Sequence, residues 1–352
     1  METVQFSKSE EYVQFKEEEI PKITGPTDVL VKMLFCGITK NDLRIIDGEL
    51  FCKPEDFFIM GREMCGIVLE VGTDVVTLKT GDNVVINPNS YCEICNSCRT
   101  GNRHLCWHCR VNNIMGVFSN GGWAEYLVVS HLQVFSVSKD FPLELGVLTH
   151  TMANVMYAFD MIGNISFDAH ILVMGVGITG CLCIALLHFK GYKNVVVVEP
   201  VLVRQEIIQH MEVPYRTFSP CVAIDRYQRN PKFSFDLIFD CTSSSKALEI
   251  ALMLVNLGGK IYMLNNKSVK TKVTISPYEL QSKDASVIGV STSIFTYTKA
   301  IAALELLNRR YLDYNILGIK VYPLRHYKEA LDHMRRESVI KAVFRMPDDC
   351  KG

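Results

Sequence analysis

The order of apolar and polar residues divides the chain into two parts with different patterns. Up to about residue 150, short runs rich in β-branched residues are separated by Gly, Asp and Asn; examples are DVLVKMLFCGI, GIVLEVG, NVVINP and AEYLVVS. Runs of this length and composition predict short strands. We therefore expect the first part to form a compact, mostly antiparallel β domain.

From about Phe167 the pattern changes to apolar runs of five or six residues that alternate with helical stretches. The runs are HILVMG, NVVVVE, FDLIFDC and KIYMLN, with helices predicted through CLCIALLHFKG and KALEIALMLVNLGG. Buried strands separated by helices predict βαβ crossovers and a parallel sheet. The tail after about Ser291 holds two amphipathic stretches and a strand-like KAVFRM. We expect this tail to return to the first domain.

Composition and charge narrow the class of partner. The chain has 352 residues with 37 basic and 38 acidic side chains, so it creates no long-range field that attracts nucleic acid or an anionic membrane. The longest apolar stretch, HILVMGVGITGCLCIALLHF, breaks into a strand and a helix before it reaches membrane-spanning length. The N-terminus lacks the apolar core of a signal peptide, and thirteen cysteines are typical of reduced thiols. We expect a cytoplasmic protein with a small-molecule partner, and no nucleic-acid or membrane partner.

Four cysteines lie close together in YCEICNSCRTGNRHLC. Cys92, Cys95, Cys98 and Cys106 have the spacing C-x2-C-x2-C-x7-C, which fits one tetrahedral structural zinc. Such a site is coordinatively closed, so this metal would fasten a lobe of about residues 88–110 and perform no chemistry. The alternative, a pair of disulfides, would require secretion, which the N-terminus does not support.

A glycine-rich turn follows the first predicted strand of the second part. Gly175, Gly177 and Gly180 form G-V-G-I-T-G at the start of a predicted helix. The first glycine permits a tight turn, the second lets the backbone approach a pyrophosphate, and the third lets the helix pack on the strand. The helix N-terminus then offers N–H groups to the anion. This context predicts a dinucleotide site.

An acidic residue at the end of the next strand bears on the choice of dinucleotide. Glu199, at the end of NVVVVE, is placed to accept hydrogen bonds from an adenosine ribose and would repel a 2′-phosphate. NAD(H) is therefore favoured. Arg204 keeps NADP(H) as an alternative, because an arginine there could hold that phosphate. The other interpretation of Glu199 is a solvated acid at a strand end.

Together these motifs resemble the medium-chain zinc-type alcohol and polyol dehydrogenases, and most closely the sorbitol dehydrogenase-like members. The resemblance also rests on segments similar to the family's GHExxG, GDxV and GGFAEY motifs, which read GREMCG, GDNV and GGWAEY in this chain. It implies an α/β fold: a GroES-like, mostly antiparallel β catalytic domain of residues 1–150 and 291–352, and a Rossmann domain with a doubly wound parallel sheet of residues 151–290. It further implies an active site in the cleft between these domains and a homo-oligomer, either a dimer or a tetramer.

The resemblance also assigns three further residues to the cofactor. Cys241 and Thr242 look like the segment that borders the adenine side, and Ser291 falls where the family's backbone usually meets the nicotinamide carboxamide.

The chain departs from the family at the catalytic zinc ligands. Thr39 stands where the ligand cysteine is expected, Arg62 where the histidine is expected, and His150 where a cysteine or glutamate is expected. Asn41 replaces the hydroxyl residue that passes the substrate proton. Threonine is a poor zinc ligand, and a guanidinium places a positive charge where the metal would sit. We therefore expect one structural zinc and no catalytic zinc.

Several interpretations of this altered site are compatible with the sequence. Arg62 could stabilise developing negative charge or hold a substrate carboxylate or phosphate, with Thr39 or Asn41 donating a hydrogen bond. It could instead pair with Glu63 or Asp42 as part of the structure. A zinc site could also be rebuilt from another set of side chains, namely Cys36, Glu63, Cys65 and His150.

The functional hypotheses follow from these interpretations. The first is an oxidoreductase that transfers hydride between a nicotinamide cofactor and a small carbonyl, alcohol or activated alkene, without a catalytic zinc. The second is an inactive dinucleotide-binding protein with a regulatory or structural role. The third is a zinc-dependent polyol or alcohol dehydrogenase with a rearranged metal site.

Overall fold

The computed structural model describes residues 1–7, 12–50, 57–108, 114–290 and 296–347, which belong to two compact units. The first unit comprises Met1–His150, Ser293–Glu305 and Gly318–Gly352. The second comprises Thr151–Thr292 and Leu306–Leu317. The sequence-based limits assigned residues 306–317 to the first domain, whereas their contacts place them in the second unit.

The strands of the described residues are, in chain order, β1 (Glu2–Ser7), β2 (Tyr12–Glu17), β3 (Asp28–Gly37), β4 (Phe57–Ile59), β5 (Glu63–Val71), β6 (Asn83–Ile86), β7 (Tyr126–Ser130), β8 (Val134–Ser136), β9 (Ile171–Met174), β10 (Val195–Val198), β11 (Arg216–Phe218), β12 (Phe235–Asp240), β13 (Val255–Met263), β14 (Ser286–Gly289), β15 (Ile319–Pro323) and β16 (Lys341–Arg345).

The α-helices of the same residues are α1 (Lys40–Ile46), α2 (Asn96–Arg99), α3 (Thr149–Ile162), α4 (Ile178–Phe189), α5 (Leu202–His210), α6 (Pro220–Arg229), α7 (Ser245–Leu254), α8 (Pro277–Ser282), α9 (Tyr297–Tyr311) and α10 (Tyr327–Arg335). Short 3-10 helices cover Arg103–Leu105, His131–Gln133, Leu143–Leu148 and Leu324–His326. No helix in the described part of the chain combines the length and the apolar character that a bilayer crossing requires.

The first unit is built from two sheets whose strands are mostly antiparallel. The described strands pair in the orders β2-β1-β4 and β15-β16-β3-β5-β6-β8, and β7 also pairs with β3. Only β15 and β16 among these pairs run parallel. Because β16 pairs with β3, the C-terminal segment completes the sheet that the N-terminal half begins. Alternation along β3 forms the core, since Val29, Val31 and Met33 are fully buried while Lys32 is half-buried.

The second unit contains a parallel sheet with the strand order β11-β10-β9-β12-β13-β14 in its described residues. Every neighbouring pair in this sheet is parallel. All four residues of β9 are buried, as expected for a strand covered on both faces. The order reverses beside β9, and ligands of such sheets bind at the carboxyl ends of the strands at this point. The predicted α/β fold class is confirmed: an antiparallel-rich β unit and a doubly wound parallel sheet.

Candidate functional site

The glycine-rich turn has the geometry that a dinucleotide needs. Gly175 follows β9 with φ +91°, a conformation that favours glycine, and α4 begins directly after Gly177. A Cβ at Gly180 would lie 1.9 Å from the carbonyl oxygen of Gly175, whereas a Cβ at Gly177 would meet nothing within 4 Å. The third glycine is therefore required by packing, and the second leaves open space above the helix N-terminus, as close approach of a pyrophosphate demands.

Glu199 ties this turn to the end of β10. Its side chain is buried, and its two oxygens accept hydrogen bonds from the backbone N–H groups of Val176 at 2.7 Å and Val201 at 2.9 Å. Each carboxylate oxygen retains acceptor capacity for a ribose hydroxyl. The interpretation of Glu199 as a solvated acid is thus wrong, because the side chain is almost fully enclosed. Arg204 lies half-buried on the helix that follows.

The other cofactor candidates lie at the end of the neighbouring strand β12. Cys241 is buried, and its carbonyl oxygen accepts from Asn265 Nδ2 at 2.6 Å. Thr242 donates its hydroxyl and its backbone N–H to Asp240, at 2.7 and 2.9 Å. Because β9 and β12 pair in parallel, these residues share one sheet edge with the glycine turn. Ser291 lies outside the described residues.

The four clustered cysteines satisfy the geometry of a metal centre. Their sulfur atoms all lie within 4.8 Å of one another, and each is a free thiol. Cys92 Sγ lies 3.9 Å from Cys98 Sγ and 3.6 Å from Cys106 Sγ. A tetrahedral zinc with Zn–S bonds of about 2.3 Å separates its sulfurs by about 3.8 Å. Burial and the neighbouring thiols raise the pKa of Cys98 to about 12, a cost that a bound cation would remove. These four side chains could therefore hold one structural zinc.

The side chains of Thr39 and Asn41 form hydrogen bonds with residues of helix α1. Thr39 donates its hydroxyl proton to Asp42 Oδ2 at 2.7 Å and accepts from the Asp42 backbone N–H at 3.2 Å, which completes a capping box. Asn41 Oδ1 accepts from Arg44 Nη1 at 3.3 Å. A hydroxyl has one proton to donate. The expectation that Thr39 donates a hydrogen bond to a substrate is therefore not supported by this arrangement.

A buried ion pair lies next to this cap. Lys341 at the start of β16 binds the Glu63 carboxylate at the start of β5, and both side chains are almost fully enclosed. They flank Gly37 of β3, where a Cβ would lie 2.3 Å from a Glu63 oxygen. A glycine at this position leaves room for the pair. The structural interpretation named Glu63 as a possible partner of Arg62. Glu63 is bound to Lys341 instead.

Arg62 is buried without a bonded partner. Its side chain is 9% exposed, its Nε has no hydrogen-bond partner, and no ion pair to its guanidinium is found among the residues that the structure describes. The pairing with Glu63 or Asp42 that a purely structural role predicts is therefore not formed. Arg62 nevertheless acts electrostatically on its surroundings, because it is one cause of the altered pKa values of Asp42, His150 and Tyr297.

His150 and Tyr297 form a neutral hydrogen-bonded pair beside Arg62. The Tyr297 hydroxyl lies 2.8 Å from His150 Nδ1, and the tyrosine ring stacks on Phe135 with a centroid distance of 5.2 Å. Burial, followed by the positive charges of Arg62 and Lys341, lowers the pKa of His150 to about 3. Burial also raises the pKa of Tyr297 well above its ordinary value. Both rings are therefore uncharged at neutral pH.

Asp42, which also lies in the region around Arg62, is a buried acid with an altered pKa. Burial raises its pKa to about 6, although the Thr39 hydrogen bonds and the charge of Arg62 oppose the shift. Its Oδ1 atom is buried without a hydrogen-bond partner among the described residues. The region around Arg62 thus contains two cations, two acids and a neutral histidine in a largely enclosed setting.

Comparison with known proteins agrees with this architecture. Residues 25–139 match the model of the alcohol dehydrogenase GroES-like domain. The chain is 29% identical over 335 residues to L-threonine 3-dehydrogenase of Pyrococcus horikoshii, which covers 93% of both chains. It is 26% identical over 320 residues to D-arabinitol dehydrogenase 1 of Uromyces fabae, covering 89% of this chain and 88% of the relative.

The GroES-like domain and these relatives make the chain similar to the medium-chain zinc-type alcohol and polyol dehydrogenases. The relatives named here are dehydrogenases, which supports an NAD(P)-dependent oxidoreductase. Solved structures share the fold: 2R,3R-butanediol dehydrogenase of Bacillus subtilis, with a TM-score of 0.84, 22% identity and 99% coverage of both chains, and an NADP-bound zinc-binding dehydrogenase of Sinorhizobium meliloti, with a TM-score of 0.86, 22% identity and 98% coverage of both.

Two side chains of the Arg62 region, Lys341 and Tyr297, were not predicted from the sequence, which named Asp42 only as a possible partner of Arg62. Lys341 and Tyr297 reach the Arg62 region from segments 278 and 147 residues away from their partners, which no local pattern reveals. Asp42 did carry a signal, because Thr39-Lys40-Asn41-Asp42 has the spacing of a capping box. That motif alone indicates that the Thr39 hydroxyl is occupied.

Proposed function

We propose that this dehydrogenase transfers hydride between a nicotinamide cofactor and a small carbonyl compound, alcohol or activated alkene without a catalytic zinc. The observation that carries the proposal is the enclosed guanidinium of Arg62 at the family's histidine-ligand position. A permanent cation at this position opposes a second cation electrostatically.

The side chains that could rebuild a metal site have other partners. Cys65 Sγ donates to the Leu143 carbonyl at 3.0 Å, Cys36 Sγ lies 3.8 Å from the Gly37 carbonyl, and burial raises the pKa of both thiols. The Glu63 carboxylate binds Lys341, and His150 Nδ1 binds Tyr297. Within the described ranges, only the Cys92 cluster forms a candidate metal-binding group. These contacts support the absence of a rearranged catalytic zinc.

The cofactor supplies the hydride when it is bound, and the chain's own residues hold and polarise the reactants. Arg62 can take the role that the catalytic zinc plays in the family, because its guanidinium can stabilise negative charge on a substrate oxygen in a buried setting. His150 stays neutral, so it adds no competing positive charge. For the cofactor, the enclosed negative charge of Glu199 supports NAD(H) over NADP(H). The predicted dimer or tetramer and the cytoplasmic location remain predictions.

Activity in the presence of a chelator tests this proposal. NADH oxidation should be followed with a panel of aldehydes, ketones and conjugated enones, before and after dialysis against a chelator that removes accessible zinc. We expect turnover of at least one compound class, unchanged by the chelator. Activity that disappears on dialysis while one zinc per chain is retained, and that returns when a second zinc binds, would contradict it, as would NADH binding with no turnover of any panel member. The conservative variant Arg62→His serves as a comparison, because it restores a ligand side chain.

A further inference from the structure

We propose that Arg62 binds a carboxylate of the substrate, so that this dehydrogenase acts on small hydroxy or oxo acids. The inference rests on the proposed function, since it assigns the substrate class of the same region. It is carried by a side chain more than nine-tenths buried whose guanidinium has no bonded acceptor among the described residues and whose Nε–H is fully enclosed without a partner.

The burial of Arg62 without a bonded acceptor costs folding free energy. A buried charge without hydrogen bonds destabilises the fold, and proteins normally pair such groups. The nearby acids do not serve as partners, because Glu63 is bound by Lys341 and Asp42 Oδ2 is bound by Thr39. An acceptor that arrives with the ligand would satisfy the guanidinium. The planar fork of arginine matches a carboxylate in a bidentate contact.

Among the other buried polar atoms that lack partners in the described part of the chain, two belong to residues already discussed or next to them in sequence. They are Asp42 Oδ1, whose carboxyl senses the charge of Arg62, and the hydroxyl oxygen of Thr149, the residue before His150. Buried polar atoms without a hydrogen-bond partner are rare in native proteins, and a ligand that binds to them is one reason for their presence. A polar ligand that extends from Arg62 supplies one, because an α-hydroxyl or carbonyl group next to the carboxylate can reach further polar atoms.

The charge balance selects a monoanion. Arg62 and Lys341 contribute two positive charges, Glu63 one negative charge, and Asp42 a second one when it is ionised, while His150 is neutral. The group therefore has one net positive charge when Asp42 is protonated and none when it is ionised, so a monoanion is disfavoured less than a dianion. A phosphate monoester, with a charge near −2 at pH 7, would face the carboxylates of Asp42 and Glu63 without compensation.

Matched ligand pairs test the assignment on the full chain saturated with NAD⁺. Dissociation constants should be measured by calorimetry for lactate against lactamide and for 3-hydroxybutyrate against 3-hydroxybutanamide, with methyl phosphate as a third arm and constant chloride. We expect at least one acid to bind about 10-fold or more tightly than its amide, as a charge-assisted contact implies. In Arg62→Met this preference should vanish, whereas Arg325→Met, which removes an exposed arginine, should retain it.

The outcomes separate this inference from the proposed function. Equal binding of every acid and its amide by the wild-type protein, or an acid preference that survives Arg62→Met, would overturn the carboxylate assignment alone. Tighter binding of methyl phosphate than of both acids would overturn it in favour of a phosphate. A second zinc ion in each chain would instead contradict the proposed function. The wild-type comparison suffices if the Met variant does not fold.

Discussion

Replacement of Arg62 by methionine should stabilise the protein, whereas the same replacement at Lys341 should destabilise it. Methionine keeps an unbranched apolar chain in each position and removes the charge. The two cations are both buried, but Lys341 is bound to Glu63 and Arg62 has no bonded partner among the described residues. The pair of variants therefore isolates the effect of partnering at nearly constant burial.

The expected magnitudes follow from these contacts. A buried, unsatisfied charged donor costs about 2–4 kcal/mol, which Arg62→Met recovers. Arg62 also lowers the pKa of Asp42, so its removal offsets part of this gain at pH 7 by making the ionised Asp42 less favourable in the folded state. The net gain in unfolding free energy at pH 7 is therefore about 1–3 kcal/mol. Lys341→Met removes the buried cation that binds the Glu63 carboxylate, so it should lower the unfolding free energy by about 3–5 kcal/mol.

Urea unfolding of the zinc-loaded proteins, followed by tryptophan fluorescence and circular dichroism, measures both changes. The unfolding free energies of the variants must depend on urea concentration with the same slope before their unfolding midpoints are compared. A changed slope indicates a different denatured state. A loss of more than 1 kcal/mol in Arg62→Met would refute the reasoning, since it would mean that Arg62 fills the vacated metal position as a stabilising structural element.

Three further predictions concern other parts of the chain. Asp42→Asn should raise the unfolding free energy by about 3 kcal/mol at pH 8, because its folded pKa of about 6 exceeds the unfolded value of 3.8 and ionisation opposes folding; the gain should disappear below pH 4, and a pH-independent difference in urea titrations would contradict this. Cys106→Ser should release the structural zinc, measured by mass spectrometry, and lower the melting temperature, while the exposed Cys221→Ser should do neither. Gly177→Ala should weaken NADH binding at an unchanged melting temperature, whereas Gly180→Ala should also lower that temperature; equal melting temperatures for the two would refute the packing argument.

The sequence predicted those features that depend on short-range patterns. The cysteine spacing, the glycine turn and the apolar runs of the parallel sheet are each contained within a few tens of residues, and the fold class follows from the order of such elements. Glu199 was placed correctly at a strand end, but its burial and its two backbone partners depend on how the loop after β10 meets the turn after β9.

The region around Arg62 was predictable only in part. Its altered residue types were visible in the sequence, since Thr39 and Arg62 stand at ligand positions of the family. The capping-box spacing also indicated the Thr39 contact, but the partner of Glu63 was not visible, because Lys341 lies 278 residues away and is brought to Glu63 by the register of three strands. The sequence therefore allowed both a paired and an unpaired arginine, and only the three-dimensional arrangement distinguishes them.

The number of zinc ions bound by each chain tests the central claim most directly. Protein purified in zinc-supplemented buffer and freed of loosely bound metal should contain one zinc per chain by mass spectrometry. The variant Thr39→Cys, Arg62→His, His150→Glu restores the family's ligand types and should contain two. Two zinc ions in the wild-type chain would contradict the account, because a second metal would then occupy the region that we assign to the guanidinium of Arg62.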